Sequence, residues 1–423
     1  MKKDFQELKT LIETEPIIDT HEHLSFVHAS DRQNLDLLSF IAIAYVGEDF
    51  HSAGMDPAAW FEGGGFEERC DKLAAFIPRV KTTTYYRSMS DAMMELFAMK
   101  KELNASNWRA YDRKIREAGV DKGWFEYVFR KKCKIKTVLL DQFWNEGNLE
   151  IDYDYFVPVL RINMFVMGTH NEPDMMGCSA FAYAQKNGKT IASFDDYLGV
   201  IEWAIIEHKK KGCLALKNAL AYERSLYYED VPEPEARRIF AIPKEKLIPE
   251  ERGKIQDFIM HHILKLSIKY NLPMQIHTGI QAGNGNMLEN SDPIKLNNLF
   301  LQYPAARFDV FHAGYPFSSA LIVLAKIFPN VYYDLCWMPI ISNSAATRIL
   351  DEALDMIPNN KLFWGGDCML IEHVYGAVKF ARSLLFNVLS ARVREGTMDM
   401  DAAKDVAVKI LWKNASEFYG ITM

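Results

Sequence analysis

At 423 residues, 49% hydrophobic and 25% charged, the chain has the composition of a globular protein with room for one large domain and an insertion, and disorder is excluded. Against 56 acids, 49 Lys and Arg leave a net charge of −7 with no long basic run, which argues against a nucleic-acid partner. The longest apolar run, residues 37–46, is interrupted by Ser39 and too short to cross a bilayer, and the amino terminus lacks a signal-peptide core, so a cytoplasmic protein with no membrane partner is expected.

The first element is a strand over residues 17–21, where Pro16-Ile17-Ile18 runs into Asp19-Thr20-His21-Glu22-His23. Side chains alternate across a strand, so His21 and His23 share a face and Glu22 points elsewhere. Two neutral imidazoles side by side are a natural chelate for a divalent metal and are costly to bury without one. Residues 24–132 follow with helical pattern over 66–77, 91–103 and 108–118, broken at Gly63-Gly64-Gly65, and are read as a mainly helical insertion over the mouth of the domain.

From residue 133 onward, short apolar segments alternate with amphipathic ones. Strands are expected over 135–140, 156–162, 213–220, 274–277, 308–312, 331–335 and 362–364, and helices over 195–211, 253–270, 293–302, 318–328 and 344–357, capped by residues such as Asp195 and Ser344. Eight strands with helical crossovers predict an α/β fold, a (β/α)8 TIM barrel built from residues 1–23 and 133–423. The doubly wound alternative lacks its Gly-x-Gly-x-x-Gly turn. Residues 223–252, rich in Pro and charge, are expected to form a flap after the fourth strand, and 372–394 and 400–419 the last outer helices.

Several strands end on a polar residue able to bind metal. Pro273-Met274-Gln275-Ile276-His277 breaks at Gly279, Phe308-Asp309-Val310-Phe311-His312 breaks at Gly314, and Leu362-Phe363-Trp364-Gly365-Gly366-Asp367 ends on a carboxylate. The fourth strand carries Lys217 inside an apolar run. Such an ordered set on successive strand ends points to a metal centre far more strongly than His-x-His alone. A divalent ion brings the pKa of bound water from near 16 to about 7, and a carboxylate such as Asp367 can take and return the proton. The six cysteines fall at irregular spacings with no C-x-x-C pair and are expected to be free thiols. His261 and His262 read as packing residues on a helix, and His28 and His373 as structural.

On these residues the chain resembles the amidohydrolase superfamily of metal-dependent barrels, and within it the uronate isomerase-like and nodulin-like branch. The resemblance runs over nearly the whole chain outside the insertion, with smaller echoes in His312-Ala313-Gly314-Tyr315-Pro316 and Asn414-Ala415-x-x-Phe418-Tyr419-Gly420. It implies one or two divalent ions, zinc first and manganese, iron or nickel otherwise, held by His21, His23, His277, His312, Lys217 and Asp367, with Asp367 also the catalytic acid and base. It further implies that Lys217, if carbamylated, bridges two ions, whereas uronate isomerases and the decarboxylase branch lack that lysine. In the nodulin-like branch a phrase similar to Leu216-Lys217-x-x-x-Ala221-Tyr222-x-Arg224 serves the substrate, so Tyr222 and Arg224 are candidate substrate contacts. Tyr315, Trp337 and His170, in loops after the sixth, seventh and third strands, are further candidates. The expected activity is hydrolysis of a C–N or C–O bond in a small polar substrate. The alternatives are aldose–ketose isomerisation, non-oxidative decarboxylation and a metal-bearing barrel that binds without turnover. A homo-oligomer is expected on general grounds only.

Overall fold

The computed structural model describes residues 2–145, 147 and 149–422. Its centre is an eight-stranded parallel sheet in sequential order: β1 (Ile17–Glu22), β2 (Ile135–Leu140), β3 (Phe156–Arg161), β4 (Ala215–Asn218), β5 (Met274–Ile276), β6 (Phe308–Val310), β7 (Val331–Asp334) and β8 (Leu362–Phe363). Between β1 and the chain after β8, Thr20 N–H donates to the Trp364 carbonyl at 3.4 Å and Asp367 N–H to that of His21 at 2.9 Å. His23 N–H reaches the Cys368 carbonyl at 3.0 Å, so the barrel is nearly closed.

Alternation sorts the strand residues between two environments. Leu216, Met274, Phe308 and Val331 stand in register and join the main apolar cluster, which includes residues of the surrounding helices. Ile18, Leu139, Val159, Ala215 and Phe363 instead form a separate cluster with Ala415, Phe418 and Tyr419 of the helix Asn414–Tyr419, which plugs the barrel floor. Near this floor lies a buried polar layer. Thr20 donates to Asp334 at 2.6 Å, Gln275 donates to Tyr419 at 2.9 Å, and the Tyr419 hydroxyl donates to Asp309. Burial pushes Asp334 up to about 7 and Asp309 well above the usual carboxylate range. Arg161, Lys217, Gln275 and Asp309 occupy neighbouring register positions across β3 to β6, which puts charge inside the barrel wall below the mouth.

Residues between β1 and β2 fold around a second apolar cluster that includes Phe40, Phe50, Trp60, Tyr86 and Trp108. A buried ion pair of Arg32 with Glu372, on the helix Ile371–Glu395, ties this layer to the barrel, and Trp124 Nε1 donates to the same carboxylate at 2.7 Å. Residues 223–252 contain the helix Glu233–Phe240 and the start of the helix Pro249–Lys269. No helix among the described residues is long and apolar enough to cross a membrane, and the six cysteines are buried and form no disulfide.

Some boundaries differ from expectation for local reasons. The helix expected over 91–103 is Thr84–Leu96, because the Thr83 hydroxyl caps the Tyr86 amide and the chain leaves the helix just before Ala98, which takes a left-handed φ of 52°. Caps expected at Asp195 and Ser344 are made two residues earlier by Ser193 and Ser342. The helix expected over 400–419 runs unbroken from Met400 to Tyr419, with a π-helical turn at Lys409–Lys413 inside it.

Candidate active site

β1 carries a register irregularity between Asp19 and Glu22, and just there His21 and His23 bring their ring centroids to 4.5 Å at 82°. His277 and His312 lie one and two residues past the ends of β5 and β6. The chain leaves its strands sharply here, since His312, Ala313, Trp337 and Asp367 all have φ between 53° and 65°. Left-handed non-glycine residues gathered around one point mark a place where function has overridden local preference.

Hydrogen bonds to main-chain carbonyls fix the tautomers, because a carbonyl only accepts. His23 Nδ1 donates to Asp141 at 2.7 Å, His312 Nδ1 to Cys336 at 3.3 Å and His277 Nε2 to Ile280 at 2.9 Å. Each ring therefore turns a bare nitrogen inward. His312 Nε2 lies 2.9 Å from His277 Nδ1. Asp367 Oδ1 is 3.2 Å from His23 Nε2 and 3.6 Å from His21 Nε2, and Oδ2 is 3.7 Å from His312 Nε2. Two lone pairs 2.9 Å apart repel unless a cation lies between them. Burial holds His21 and His277 well below the ordinary imidazole range and lowers His312 to about 4, so a proton is a poor candidate for that cation. The donor set of imidazoles and one carboxylate fits a divalent metal, and the outward N–H to carbonyl bonds are the usual orientation of metal-binding histidines.

Lys217 is buried at the centre, with Nζ 3.3 Å from His21 Nε2 and 3.8 Å from the Phe311 ring centroid. Burial lowers its pKa to about 8, which leaves an appreciable fraction of neutral amine. For Asp367, burial acts to raise the pKa, and the groups nearest its carboxylate are the nitrogens of His23, His21 and His312. Its Oδ1 also accepts from the Tyr45 hydroxyl at 2.9 Å, a contact brought from the insertion. Tyr45 is held by Tyr85 and Trp337, at centroid distances of 5.5 and 4.3 Å. A hydrogen bond to a charged acceptor contributes about 1.5–3 kcal/mol, so Tyr45→Phe is expected to lower kcat roughly ten- to hundredfold with little change in fold. Steady-state kinetics beside a melting curve check this, and an unchanged kcat would take the hydroxyl out of the chemistry.

A cavity of about 220 Å³ opens over this centre. Its polar lining includes His21, His23, Asp141, Arg161, Lys217, Tyr222, His277 and Asp367, and its apolar wall includes Ile43, Val46, Tyr85 and Met89 from the insertion. Asp141, just past β2, groups with His21 and His23, their ligand atoms all within 4.8 Å of one another, and His312, Cys336 and Asp367 form a second such group. Arg161 reaches Asp141 at 3.0 Å and keeps its Nε buried without a hydrogen-bond partner.

Among the predicted substrate contacts, Tyr222 lines the cavity, its ring 4.8 Å from His277 and its hydroxyl accepting the Ala282 N–H at 2.9 Å. Trp337 is fully buried, with its ring 5.4 Å from that of His312, and packs behind the ligand instead of facing the cavity. Three others are corrected. Arg224 is not in the cavity wall, because Asp257 and Gln256 take its guanidinium. His170 bonds Thr169 and the Ile239 carbonyl, and Tyr315 is half-buried outside the lining. His373, read as structural, does line the cavity, with Nε2 unpartnered.

Parallel strands with imidazoles and a carboxylate gathered at one mouth make a barrel with a candidate metal centre at that end. Residues 243–421 match the amidohydrolase family model. A 151-residue stretch, 35% of this chain, is 33% identical to Protein fluG of Emericella nidulans and spans only 17% of that protein's length. Over 99% of this chain and 97% of the other, the fold matches uronate isomerase from Thermotoga maritima at TM-score 0.81 and 17% identity. Glucuronate isomerase from Caulobacter crescentus matches at 0.81 and 17% identity over 100% and 95% of the two chains. A candidate metal-dependent hydrolase from Lactobacillus casei matches at 0.65 and 16% identity over 98% and 97%. Over residues 243–421 the chain is thus similar to the amidohydrolase family, and its fold is that of these solved barrels.

Proposed function

We propose that this protein is a metal-dependent hydrolase that cleaves a C–N or C–O bond, in an amide, ester or lactone, of a small polar substrate. The observation that carries the reading is the gathering of nitrogens from His21, His23 and His312 within 3.2 to 3.7 Å of the Asp367 carboxylate, with His277 Nδ1 2.9 Å from His312 Nε2 and buried Lys217 alongside. An ion held there, zinc by preference for so many imidazoles, supplies Lewis acidity that acidifies water and polarises the substrate carbonyl. Asp367 takes the proton of the attacking water and returns it to the leaving nitrogen or oxygen, while the Tyr45 hydroxyl keeps the carboxylate oriented. Arg161, which lines the cavity and is held by Asp141, meets an anionic or hydroxylated end of the substrate, and the apolar wall excludes bulk water.

Lys217 favours hydrolysis over isomerisation, since its buried amine beside His21, if carbamylated, would add oxygen ligands for a divalent ion. A second reading, aldose–ketose isomerisation of a sugar acid, draws on the end-to-end fold match to two isomerases. Elemental analysis of the purified protein, an intact-mass check for carbamylated Lys217, and a panel of amides, esters, lactones and sugar acids test both. One or two ions with turnover of an amide, ester or lactone supports the proposal. Turnover of sugar acids alone transfers the case to isomerisation, and a metal-free protein under replete conditions ends it.

A further inference from the structure

Two carboxyl groups of the segment Asp19–Glu22 take no part in the ligand cluster, yet both are fully buried. They lie against the loop that carries Asp367. Asp19 Oδ1 accepts the N–H of His21 and of Gly366, each at 3.1 Å. The Glu22 carboxylate accepts the N–H of Cys368, and Asp367 donates its own N–H to the His21 carbonyl at 2.9 Å. Three consecutive amides, 366 to 368, are therefore anchored on β1. The residue in their midst is Asp367, whose φ of 59° lies in the left-handed region, uncommon outside glycine although aspartate tolerates it better than most.

The fit leaves no room for adjustment. A Cβ on Gly366 would stand 2.0 Å from Glu22 Oε1, and one on Gly365 2.7 Å from Thr20 Oγ1. This explains why glycines precede the aspartate, and why the strand that supplies two imidazoles also carries two acids.

We propose that Asp19 and Glu22 are positioning residues. They hold the loop after β8 so that the Asp367 carboxylate faces the same point as the His21 and His23 nitrogens. β1 thereby sets both halves of the metal site, two ligands through its own side chains and a third through a neighbouring backbone. The inference rests on the reading of Asp367 as a ligand.

Cobalt(II) loading tests it, with the visible absorption spectrum and the cobalt dissociation constant as readouts, beside the melting temperature of the metal-free chain. Glu22→Met fills the same space without an acceptor, and is expected to weaken cobalt binding about 10- to 100-fold and alter the spectrum. Glu22→Gln keeps an acceptor for the Cys368 amide and should stay near wild type. In an Asp367→Asn background, Glu22→Met should add nothing further. Wild-type cobalt binding by Glu22→Met, or an equal loss in the Asp367→Asn background, overturns the proposal. Asp367→Asn with unaltered affinity and spectrum overturns the ligand reading beneath it. Should Glu22→Met not fold, Gly366→Ala serves, since its methyl must displace the loop from Glu22; unchanged cobalt binding there overturns the proposal equally.

Discussion

Asp367→Asn is expected to lower turnover by about a thousandfold or more while the chain keeps its melting temperature within a few degrees of wild type. General acid–base catalysis by a placed side chain contributes roughly 10²–10⁴ in rate, and asparagine has no proton-accepting carboxylate. Both Asp367 oxygens are engaged, Oδ1 with Tyr45 and His23 and Oδ2 toward His312, so asparagine can fill the space and keep part of the hydrogen bonding. Rates measured at saturating substrate, with metal content determined on the same preparations, separate lost chemistry from lost metal. A variant that retains metal and turns over at the wild-type rate removes Asp367 from the mechanism.

Stripping divalent ions with a chelator should abolish turnover and lower the melting temperature by about 5 °C. Unfolding entropy of about 2.1 cal/mol/K per residue amounts to about 0.9 kcal/mol/K for 423 residues, and an ion present at a thousand times its Kd adds about 4 kcal/mol. The close approach of His312 Nε2 to His277 Nδ1 makes the metal-free centre self-repelling, which acts in the same direction. Calorimetry with and without added zinc reads the shift, and a melting temperature indifferent to the chelator would argue that these imidazoles hold no ion.

The barrel and most of its mouth could be read from the residues because an apolar run ending in a histidine or carboxylate is a local signal. His21, His277, His312 and Asp367 all carry it. Asp141 carries it too, directly after Ile135–Leu140, and Arg161 is a charge at the end of an apolar strand; both were passed over although they line the cavity. Tyr45 offers no such signal. Its neighbours Ile43, Ala44 and Val46 read as ordinary core, and only the return of the insertion over the mouth brings its hydroxyl to Asp367. Arg224 was misplaced for the converse reason. It stands two residues from Tyr222, but the short turn Leu220–Tyr222 separates them, and Asp257 on the helix Pro249–Lys269 captures the guanidinium. Alternation showed that Glu22 faces away from the histidines, but what it faces depends on a loop more than 340 residues later in the chain.

The bond between Tyr45 and Asp367 joins the layer between β1 and β2, which carries the tyrosine, to the loop after β8, and Tyr45 also packs against the main apolar cluster of the barrel. Any displacement that lifts this layer to admit a molecule also withdraws the phenol from the carboxylate. The orientation of the carboxylate is thus tied to the seating of a segment more than 300 residues away in the chain.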